Sequence, residues 1–441
     1  MDGRHSTRGT AVGRAPKPSP VAFRPDPEAE LPPSAEVIVV GAGMVGASAA
    51  YQLARAGMRP LLIEANAPAS GASGRLAGLT LAGLGDHFRR VTRLVQESGG
   101  RSILDYTMRS LELLDEFQDE LPGGIDWERC GSLDLLTDQE QEEDGRAAAD
   151  AQAEEGLAVG LIDAGELAEL APALDCRQVR AAKWTPGDGQ LNPFKLVYGL
   201  LQAAKPLGAR VVSGVRVEEL IARGGRIAGV ATSHGRVDAG AVLVAANAWT
   251  PALVPSVAEN LMPIREHTMV TEPLPRVLFQ SFETNRCNEY WRQEPSGEVL
   301  VGGFAIADDG MGIGSYSITV RPAVPPLLAA LLGRFHPQLR DARVVRAWAG
   351  LLDFASLEIP MAGRIPAQDG TPLPGGYMAC GLTGHGTPYA PILGLLLAEL
   401  ISAGDARTLS LAPFDPRRYA GPAHPPTWLS AFATPEPVPS V

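Results

Sequence analysis

The stretch Val37-Ile-Val-Val-Gly41-Ala-Gly43-Met-Val-Gly46-Ala, followed by Leu61-Leu-Ile-Glu64, decides the fold of this chain. The β-branched residues at 37–40 favour a strand that is buried on both faces. The small residues from Ala47 to Ala54 favour a helix that packs close to a sheet. The glycines lie at the sharp turn between the two. The stretch therefore predicts a strand, a glycine turn, a helix and a second strand.

Each glycine of this turn has a separate reason to be there if a dinucleotide binds. Gly41 allows the tight turn, Gly43 lets the backbone approach a pyrophosphate, and Gly46 lets helix and strand pack closely. The helix N-terminus would stabilise the charge of the pyrophosphate. Glu64 lies 18 residues after Gly46, where a carboxylate can accept from both ribose hydroxyls. The pattern predicts a dinucleotide without a 2′-phosphate, and a tight turn without ligand is the alternative.

The composition limits the partners and the compartment. A chain of 441 residues with 45% hydrophobic content suggests two domains, or one discontinuous pair. The net charge of -12 argues against nucleic acid as a partner, because it offers no general basic surface to phosphates. Cys130, Cys176, Cys287 and Cys380 lack C-x-x-C spacing. We therefore predict no disulfide framework and no metal site, but reduced thiols in a cytoplasmic protein.

The two ends of the chain and its most apolar stretch carry further predictions. Residues 1–35 are rich in proline and charge and have no apolar run, which predicts a disordered tail and no signal peptide. Residues 421–441 form a second proline-rich tail. The stretch Ala390 to Ile401 is too short to cross a bilayer, so we predict a buried helix there and no membrane span.

Helices and strands alternate between these ends. Helical spacing from Asp86 to Glu120 predicts surface helices, and another helix is expected to start near Pro193. Further strands are expected at Cys130 to Leu136, Ala181 to Thr185, 209–217, 226–232 and 241–246.

Several segments, taken together, resemble one family. The run Ser70-Gly-Ala-Ser-Gly-Arg75-Leu-Ala-Gly78, after Glu64-Ala65, resembles the second flavin-contact segment of the FAD-dependent D-amino-acid oxidase superfamily, close to glycine oxidase and sarcosine oxidase. The other landmarks follow in the order of the family. They are Asp188-Gly-Gln-Leu-Asn-Pro193, Val242-Leu-Val-Ala-Ala-Asn-Ala-Trp249, Pro263-Ile-Arg-Glu-His-Thr-Met-Val-Thr-Glu-Pro273, Trp348-Ala-Gly-Leu351 and Gly381-Leu-Thr-Gly-His-Gly386.

The resemblance implies an α/β fold in which two domains interleave. A Rossmann-like FAD-binding domain would be discontinuous, and a smaller α+β substrate domain would carry a mixed β-sheet. The FAD-binding domain is expected at 36–121, 183–260 and 350–420, and the substrate domain at 122–182 and 261–349.

The resemblance also implies where FAD is held. The pyrophosphate is expected at the glycine turn, the adenosine beyond the second strand, and the flavin between two loops. The corresponding residues are Gly41, Ala42, Gly43, Met44, Val45 and Gly46 for the pyrophosphate; Glu64, Ala65 and Val217 for the adenosine; and Ser70, Ser73, Gly74, Arg75, Leu76, Ala77, Gly78, Leu79, Thr383, Gly384, His385, Gly386 and Thr387 for the flavin. Ala246, Asn247, Trp249 and Gly363 complete the expected contacts.

Two departures from monomeric sarcosine oxidases bear on the flavin. Those enzymes use a cysteine near the position of Trp348 for a covalent flavin link, and Ala347-Trp-Ala-Gly350 contains none, which predicts non-covalent FAD. They also have a lysine just after Gly-His-Gly, where this chain has Pro388. The electron acceptor is therefore open between O2 and a protein partner.

The substrate side departs from the family more strongly. The resemblance implies oxidation of a C–N bond by hydride transfer to flavin N5, with an arginine that holds the substrate carboxylate. Leu352 stands where glycine-oxidase-like members have that arginine. Arg286 and Arg292 are the candidates to supply the charge instead. A bulkier or less anionic substrate is the alternative.

Aromatic residues and two histidines complete the candidate substrate site. Tyr290, Trp291 and Trp348 are candidate pocket walls, although large aromatics often simply fill a core. His267 lies on the strand expected to roof the flavin, where it faces substrate or serves a structural role. His385 lies between two glycines, where flavin contact through the backbone competes with a role as general base.

Three functional hypotheses follow. The first is an FAD-dependent oxidoreductase that oxidises the C–N bond of an amino acid or secondary amine. The second is the flavin subunit of a multi-subunit dehydrogenase of the opine, proline or cyanide-forming kind. The third is a flavin-binding partner protein whose catalytic pocket has decayed, with 2-hydroxy-acid oxidation as a further alternative. Homo- and hetero-oligomers are both compatible with the sequence.

Overall fold

The computed structural model describes residues 31–84, 88–284 and 288–419. Two large β-sheets, each with a hydrophobic core of its own, account for most of these residues. The chain passes between the sheets several times, so neither sheet is built from one continuous segment. The predicted α/β fold with interleaved parts and mixed sheets is confirmed.

The first sheet is mainly parallel at its centre. Its spatial order is β17 (Met361–Pro366), β18 (Pro372–Cys380), β11 (Gly235–Val244), β1 (Ser34–Val40), β2 (Pro60–Glu64) and β8 (Arg210–Ser213). Two antiparallel strands, β10 (Arg226–Thr232) and β9 (Val217–Arg223), continue from β11. The central strands β18, β11, β1, β2 and β8 run in one direction, so their carboxyl ends meet at a single edge.

The helices of this part are α1 (Met44–Arg55), α2 (Phe88–Glu97), α3 (Leu104–Glu120), α6 (Pro193–Ala204) and α8 (Gly386–Ala403). Four of these helices form one connected group, in which α1 contacts α6 and α8, and α8 contacts α3. Helix α6 begins as its sequence predicts, because the Asn192 side chain accepts hydrogen bonds from the backbone N–H groups of Phe194 and Lys195.

Helices α1 and α8 pack against each other unusually closely. The Ser48 hydroxyl donates to the carbonyl oxygen of Pro391 over 3.1 Å. A Cβ on Gly394 would collide with the Ser48 side chain. By length and composition alone, α8 could cross a membrane, yet 61% of that helix is buried inside the structure. Its packing on α1 and α3 is that of a core helix.

The second sheet is mixed. Its spatial order is β16 (Val344–Ala355), β12 (Leu261–Thr271), β15 (Val299–Gly303), β14 (Glu289–Gln293), β13 (Ser281–Thr284), β4 (Ser132–Leu136), β6 (Ala181–Thr185) and β5 (Gly160–Asp163). Its helices are α4 (Gln139–Glu154), α5 (Ala164–Leu170) and α7 (Val324–Phe335). A small ladder of β3 (Leu79–Thr80) and β7 (Gly189–Gln190) lies apart from both sheets.

The two faces of the second sheet have different surroundings. One face packs on α7 through an apolar core in which Trp291 stacks on Phe282 with ring centroids 5.5 Å apart. The opposite face, which we call the inner face, lies against the loop that contains Arg75 and Ala77. Successive residues of a strand point to opposite faces, so the inner face is made by alternate residues of β12, β14 and β16.

Two predicted boundaries differ from the structure. Strand β1 begins at Ser34, inside the segment predicted to be a tail, and the Pro33 carbonyl already accepts a hydrogen bond from the Asp238 N–H. Strand β16 crosses the boundary placed at residue 350, because it pairs with β12 along its whole length. The tails at residues 1–30 and 420–441 lie outside the described residues.

Candidate functional site: a cofactor cradle facing the second sheet

The glycine turn after β1 has the geometry that its sequence predicts. Gly41 adopts φ 101°, in the left-handed region, and a Cβ there would lie 2.5 Å from the carbonyl oxygen of Ala245. A Cβ on Gly46 would collide with the carbonyl oxygen of Gly41. The turn therefore brings the N-terminus of α1 to the carboxyl edge of the first sheet, where unpaired N–H groups and the helix dipole favour an anion.

Ser73 links the second loop to this helix N-terminus. Its hydroxyl oxygen accepts a hydrogen bond of 2.9 Å from the Met44 N–H. The same oxygen would lie 3.0 Å from a Cβ on Gly43. The glycine leaves a space beside the helix N-terminus that is lined by a hydroxyl and by backbone N–H groups, which suits a pyrophosphate.

Glu64 ends β2 beside the same turn. One carboxylate oxygen accepts from the Ala42 N–H at 2.9 Å, and the other accepts from the Asn66 N–H at 2.8 Å. The Glu64 carbonyl accepts from the Val215 N–H, which brings the start of β9 at Val217 near this end of the sheet. These contacts fix the carboxylate where a ribose would lie.

A second helix N-terminus lies on the same edge of the first sheet. Helix α8 follows β18, which runs parallel to β1 through β11, so the turn 381–386 is delivered beside the glycine turn. Thr383 adopts φ 50°, and its hydroxyl donates to the Gly381 carbonyl over 3.1 Å. His385 precedes α8, and its Nδ1 lies 2.8 Å from the Thr383 carbonyl oxygen.

A buried carboxyl group on β16 holds this second turn. The two oxygens of Asp353 accept hydrogen bonds from the Gly381 N–H at 2.6 Å and the Leu382 N–H at 3.2 Å. Burial raises the pKa of the Asp353 carboxyl to about 7, although both hydrogen bonds favour its charged form. Asp353 therefore ties the second sheet to the turn at the start of α8.

The inner face of the second sheet closes over the loop between these helix termini. The Arg75 carbonyl accepts from the Trp348 Nε1–H at 2.9 Å and from the Thr268 hydroxyl at 3.4 Å. The Arg75 guanidinium donates back to the carbonyl oxygen of Ala349 over 3.0 Å. A Cβ on Gly350 would lie 3.0 Å from the Arg75 Cβ. Sheet and loop are thus locked together on both sides of the Arg75 backbone.

A flat dinucleotide cofactor fits this arrangement. Two helix N-termini lie on one edge of a parallel sheet, and a glycine-lined space next to Ser73 adjoins the first of them. Asn247, one of the expected cofactor contacts, adopts φ 51°, a conformation that asparagine tolerates better than most residues.

Comparison with known proteins agrees with this geometry. The family model described as FAD dependent oxidoreductase (DAO) matches residues 36–400. The chain belongs to this FAD-dependent oxidoreductase family. The DAO family is FAD-dependent, and the cofactor predicted from the sequence is confirmed at that level.

Individual relatives are distant but cover most of the chain. The hydrogen cyanide synthase subunit HcnC of Pseudomonas aeruginosa is 26% identical over 416 residues, covering 87% of this chain and 96% of the relative. Glycine oxidase of Geobacillus kaustophilus is 26% identical over 392 residues, covering 88% of this chain and 97% of the relative. The structure of L-proline dehydrogenase from P. horikoshii superposes with a TM-score of 0.77 at 26% identity, covering 88% of this chain and 98% of that one.

Arg292 is placed differently from its expected role as a carboxylate ligand. Its side chain is 1% exposed, and its guanidinium donates to the carbonyl oxygens of Ala77 and Leu191 and to the Glu294 carboxylate. In this DAO-family protein, these contacts fix the loop around Ala77, which is predicted to contact the flavin. The second candidate for that role, Arg286, lies outside the described residues.

The histidine and one aromatic candidate point away from the inner face. His267 lies on the opposite face of β12, where its Nε2 accepts from the Arg321 N–H at 3.0 Å. Trp291 is fully buried against α7, and its Nε1–H donates to His336 Nε2 over 2.8 Å. Strand alternation places both residues on the buried face away from the Arg75 loop, in agreement with the structural role that was the alternative for each of them.

Tyr290, Trp348 and Leu352 do lie on the inner face. Trp348 is bonded to the Arg75 loop, and a Cβ on Gly384 would lie 4.0 Å from a Leu352 methyl group. Leu352 packs with Ile264 and partly buried apolar neighbours, so the position of the expected arginine is part of an apolar patch.

Two of the peripheral cofactor candidates pack elsewhere. Trp249 is 55% exposed, and its ring lies 4.6 Å from that of Tyr316. Gly363 lies on the outer strand β17, where a Cβ would be 3.2 Å from Pro416. Among the described residues, no group of three or more His, Cys, Asp or Glu side chains is placed to hold a metal ion.

Sequence reasoning missed three residues at this site: Glu266, Asp353 and Gly302. A Cβ on Gly302 would collide with the ring and hydroxyl of Tyr290, so this glycine lets the ring lie flat on the sheet. Glu266 is an acid of the roof strand segment and points to the inner face beside Tyr290. In sequence it lies between Arg265 and His267, so only the strand pairing shows which of the three faces the Arg75 loop.

Proposed function

We propose that this protein oxidises the C–N bond of an amine or amino acid by hydride transfer to FAD. The observation that supports the proposal is the inner face itself. It is an apolar and aromatic surface with a few polar groups, and it is hydrogen-bonded to the Arg75 loop, whose sequence resembles the flavin-contact segment of the family. Relatives named glycine oxidase and L-proline dehydrogenase share this fold over most of their length.

The protein's part in such a reaction is to bind, orient and exclude water. FAD, when bound, supplies the acceptor for the hydride. Trp348 and Thr268 hold the loop that carries Arg75, so the distance between cofactor loop and inner face is fixed. Leu352 and Ile264 make one end of that face apolar, which excludes water from the reacting carbon. A protein nucleophile is not needed for this chemistry.

An anaerobic flavin-bleaching screen tests the proposal. The purified protein is first checked for released FAD after denaturation, which also tests non-covalent binding. Amines, N-methyl amino acids, imino acids and 2-hydroxy acids are then added without oxygen, and loss of flavin absorbance is recorded. Bleaching by amines is expected. Bleaching by 2-hydroxy acids alone, or by no compound, would contradict C–N oxidation, and the last result would support a decayed pocket.

A second candidate is the flavin subunit of a multi-subunit dehydrogenase. It is favoured by the similarity to the subunit HcnC, since the alignment covers 96% of that relative. It is also favoured by Pro388, which stands where monomeric sarcosine oxidases have a lysine. Slow reoxidation of the bleached protein in air would support a protein electron acceptor and a hetero-oligomer. Stoichiometric hydrogen peroxide would instead support an oxidase. A cytoplasmic location is part of either proposal.

A further inference from the structure

Glu266 lies at the centre of the inner face. In the pairing of β12 with β16 it stands opposite Gly350, whose missing side chain makes room for Arg75. Two residue pairs further along, and so on the same face, Thr268 and Trp348 both donate to the Arg75 carbonyl. The Glu266 carboxyl is therefore a near neighbour of the loop that the family uses for flavin.

Tyr290 holds this carboxyl in place. Its hydroxyl is hydrogen-bonded to Glu266 and to Thr268 across the intervening strand. The ring can reach both because Gly302 lies between them without a side chain. Burial raises the pKa of the tyrosine well above its ordinary value, so the hydroxyl keeps its proton and can donate to the acid.

The basic groups around Glu266 are engaged elsewhere. Arg75 donates to the carbonyl oxygens of Ser70 and Ala349, and Arg292 to Ala77, Leu191 and Glu294.

The other charged groups of the sheet lie further from Glu266 or on its other face. Lys183 pairs with Asp134 at 3.6 Å further along the sheet, and Arg346 lies over the Trp348 ring at the exposed end of β16. Arg265, His267 and Asp353 occupy the opposite face. Within the described part of the chain, no ion pair is formed by Glu266.

A desolvated carboxyl without a cation is costly unless something pairs with it. Glu266 is partly exposed as a residue, but its carboxyl end is removed from water, and this desolvation raises its pKa to about 7. Tyr290 opposes the shift by stabilising the charged form. The Trp348 ring on the same face already has the Arg346 guanidinium over it, 5.5 Å from the ring centroid. The Glu266 carboxyl, which has no cation as partner among the described residues, therefore suits a positively charged nitrogen.

We propose that Glu266 receives the ammonium group of the substrate and removes one of its protons, so that the site selects amine cations without a carboxylate on the reacting carbon. The inference rests on the proposed C–N oxidation. An N–H bond of the ammonium breaks and an O–H bond forms on Glu266. The nitrogen regains its electron pair as a neutral amine, the form from which a hydride can leave the neighbouring carbon. The absence of an arginine at Leu352 follows from the same selectivity.

A matched pair of small ions tests the inference by binding alone. tert-Butylammonium has no hydrogen on the carbon that bears nitrogen, so it cannot be oxidised, and pivalate has the same shape with a negative charge. Each is titrated by calorimetry into the FAD-loaded protein. The wild type is expected to prefer tert-butylammonium. Glu266→Gln should weaken that binding by about 10-fold or more and leave pivalate binding unchanged or tighter, because a charged hydrogen bond is lost.

The pH dependence provides a second readout. Tert-butylammonium binding to the wild type should tighten as the pH rises through about 7, because Glu266 gains its charge there. Tyr290→Phe removes a hydrogen bond to the charged form and should move this transition to higher pH. Glu272→Gln is the matched control, since Glu272 follows the same strand and pairs with Arg343 at the surface. It should bind both ions as the wild type does.

The outcomes separate this inference from the proposed function. A wild type that binds pivalate more tightly than tert-butylammonium would overturn it, as would unchanged affinity in Glu266→Gln. If that variant does not fold, an unshifted pH transition in Tyr290→Phe would overturn it equally. If amines bleach the flavin of Glu266→Gln as fast as that of the wild type, C–N oxidation stands, but the proposed role of Glu266 in deprotonating the substrate is rejected. Failure of every amine to bleach the wild-type flavin would reject the proposed function.

Discussion

Replacing Arg292 by methionine tests whether this residue positions the loop around Ala77, which is predicted to contact the flavin, or binds substrate. The methionine retains much of the apolar stem but removes the donors to Ala77, Leu191 and Glu294. All three acceptors lie in the region where Arg292 itself is 1% exposed, so water cannot easily replace the lost donors.

The magnitude follows from these contacts. Each buried acceptor left without a donor costs about 1–3 kcal/mol, and breaking a buried ion pair costs about 3–5 kcal/mol. Because Glu294 retains some exposure, we expect the free energy of unfolding of the FAD-loaded protein to fall by about 3 kcal/mol. If most of that loss destabilised the FAD-bound state and not the FAD-free folded state, the dissociation constant of FAD would rise about 100-fold.

Urea unfolding and FAD titration of the same preparation measure both quantities. Arg343→Met is the control, because Arg343 also pairs with a glutamate but has a side chain that is 75% exposed. Its effect should stay below about 0.5 kcal/mol. The reasoning would be refuted if Arg292→Met kept wild-type stability and FAD affinity while losing affinity for a substrate carboxylate, since that is the signature of a substrate ligand.

Three further variants are expected to act on separate parts of the site. Gly46→Ala should abolish FAD retention during gel filtration, because its Cβ would collide with the Gly41 carbonyl and displace α1 from β1; retained yellow colour would count against the cradle. Gly302→Ala should push the Tyr290 ring off the sheet, cost about 1–3 kcal/mol in urea unfolding, and raise the pH at which tert-butylammonium binds. Asp353→Asn should flatten the pH dependence of stability. Asp353 has a folded-state pKa of about 7, raised above that of the unfolded chain, so the wild type loses stability as the pH rises from about 4 to 7 and the variant should not.

The sequence predicted the cofactor half of the site well because its signals are local. The strand, turn and helix at 37–55 depend on residues a few positions apart, and the left-handed glycine of the turn is at Gly41 as expected. The predicted tail boundary was two residues late, since Ser34 and Ala35 are recruited into β1 by pairing with β11, a strand about 200 positions away.

The substrate half could not be predicted in the same way because it depends on distant pairing. Arg292 looked like a free cation on a strand, but its acceptors at Ala77 and Leu191 lie 215 and 101 positions away. His267 and Glu266 are neighbours in sequence, and only the register with β16 decides which of them faces the Arg75 loop. Polar residues at the consecutive positions 265, 266 and 267 give no such register by themselves.

The close crossing of α1 and α8 has a consequence for biosynthesis. The Ser48 hydroxyl and its acceptor at Pro391 are 343 positions apart, and β18 joins the parallel sheet only after β11. A ribosome adds about 5–20 residues per second, so the N-terminal glycine turn waits tens of seconds for its partner helix. During translation the nascent chain offers only one of the two helix termini. Flavin loading should therefore follow release of the finished chain, and truncated translation products should compete poorly for the cell's FAD.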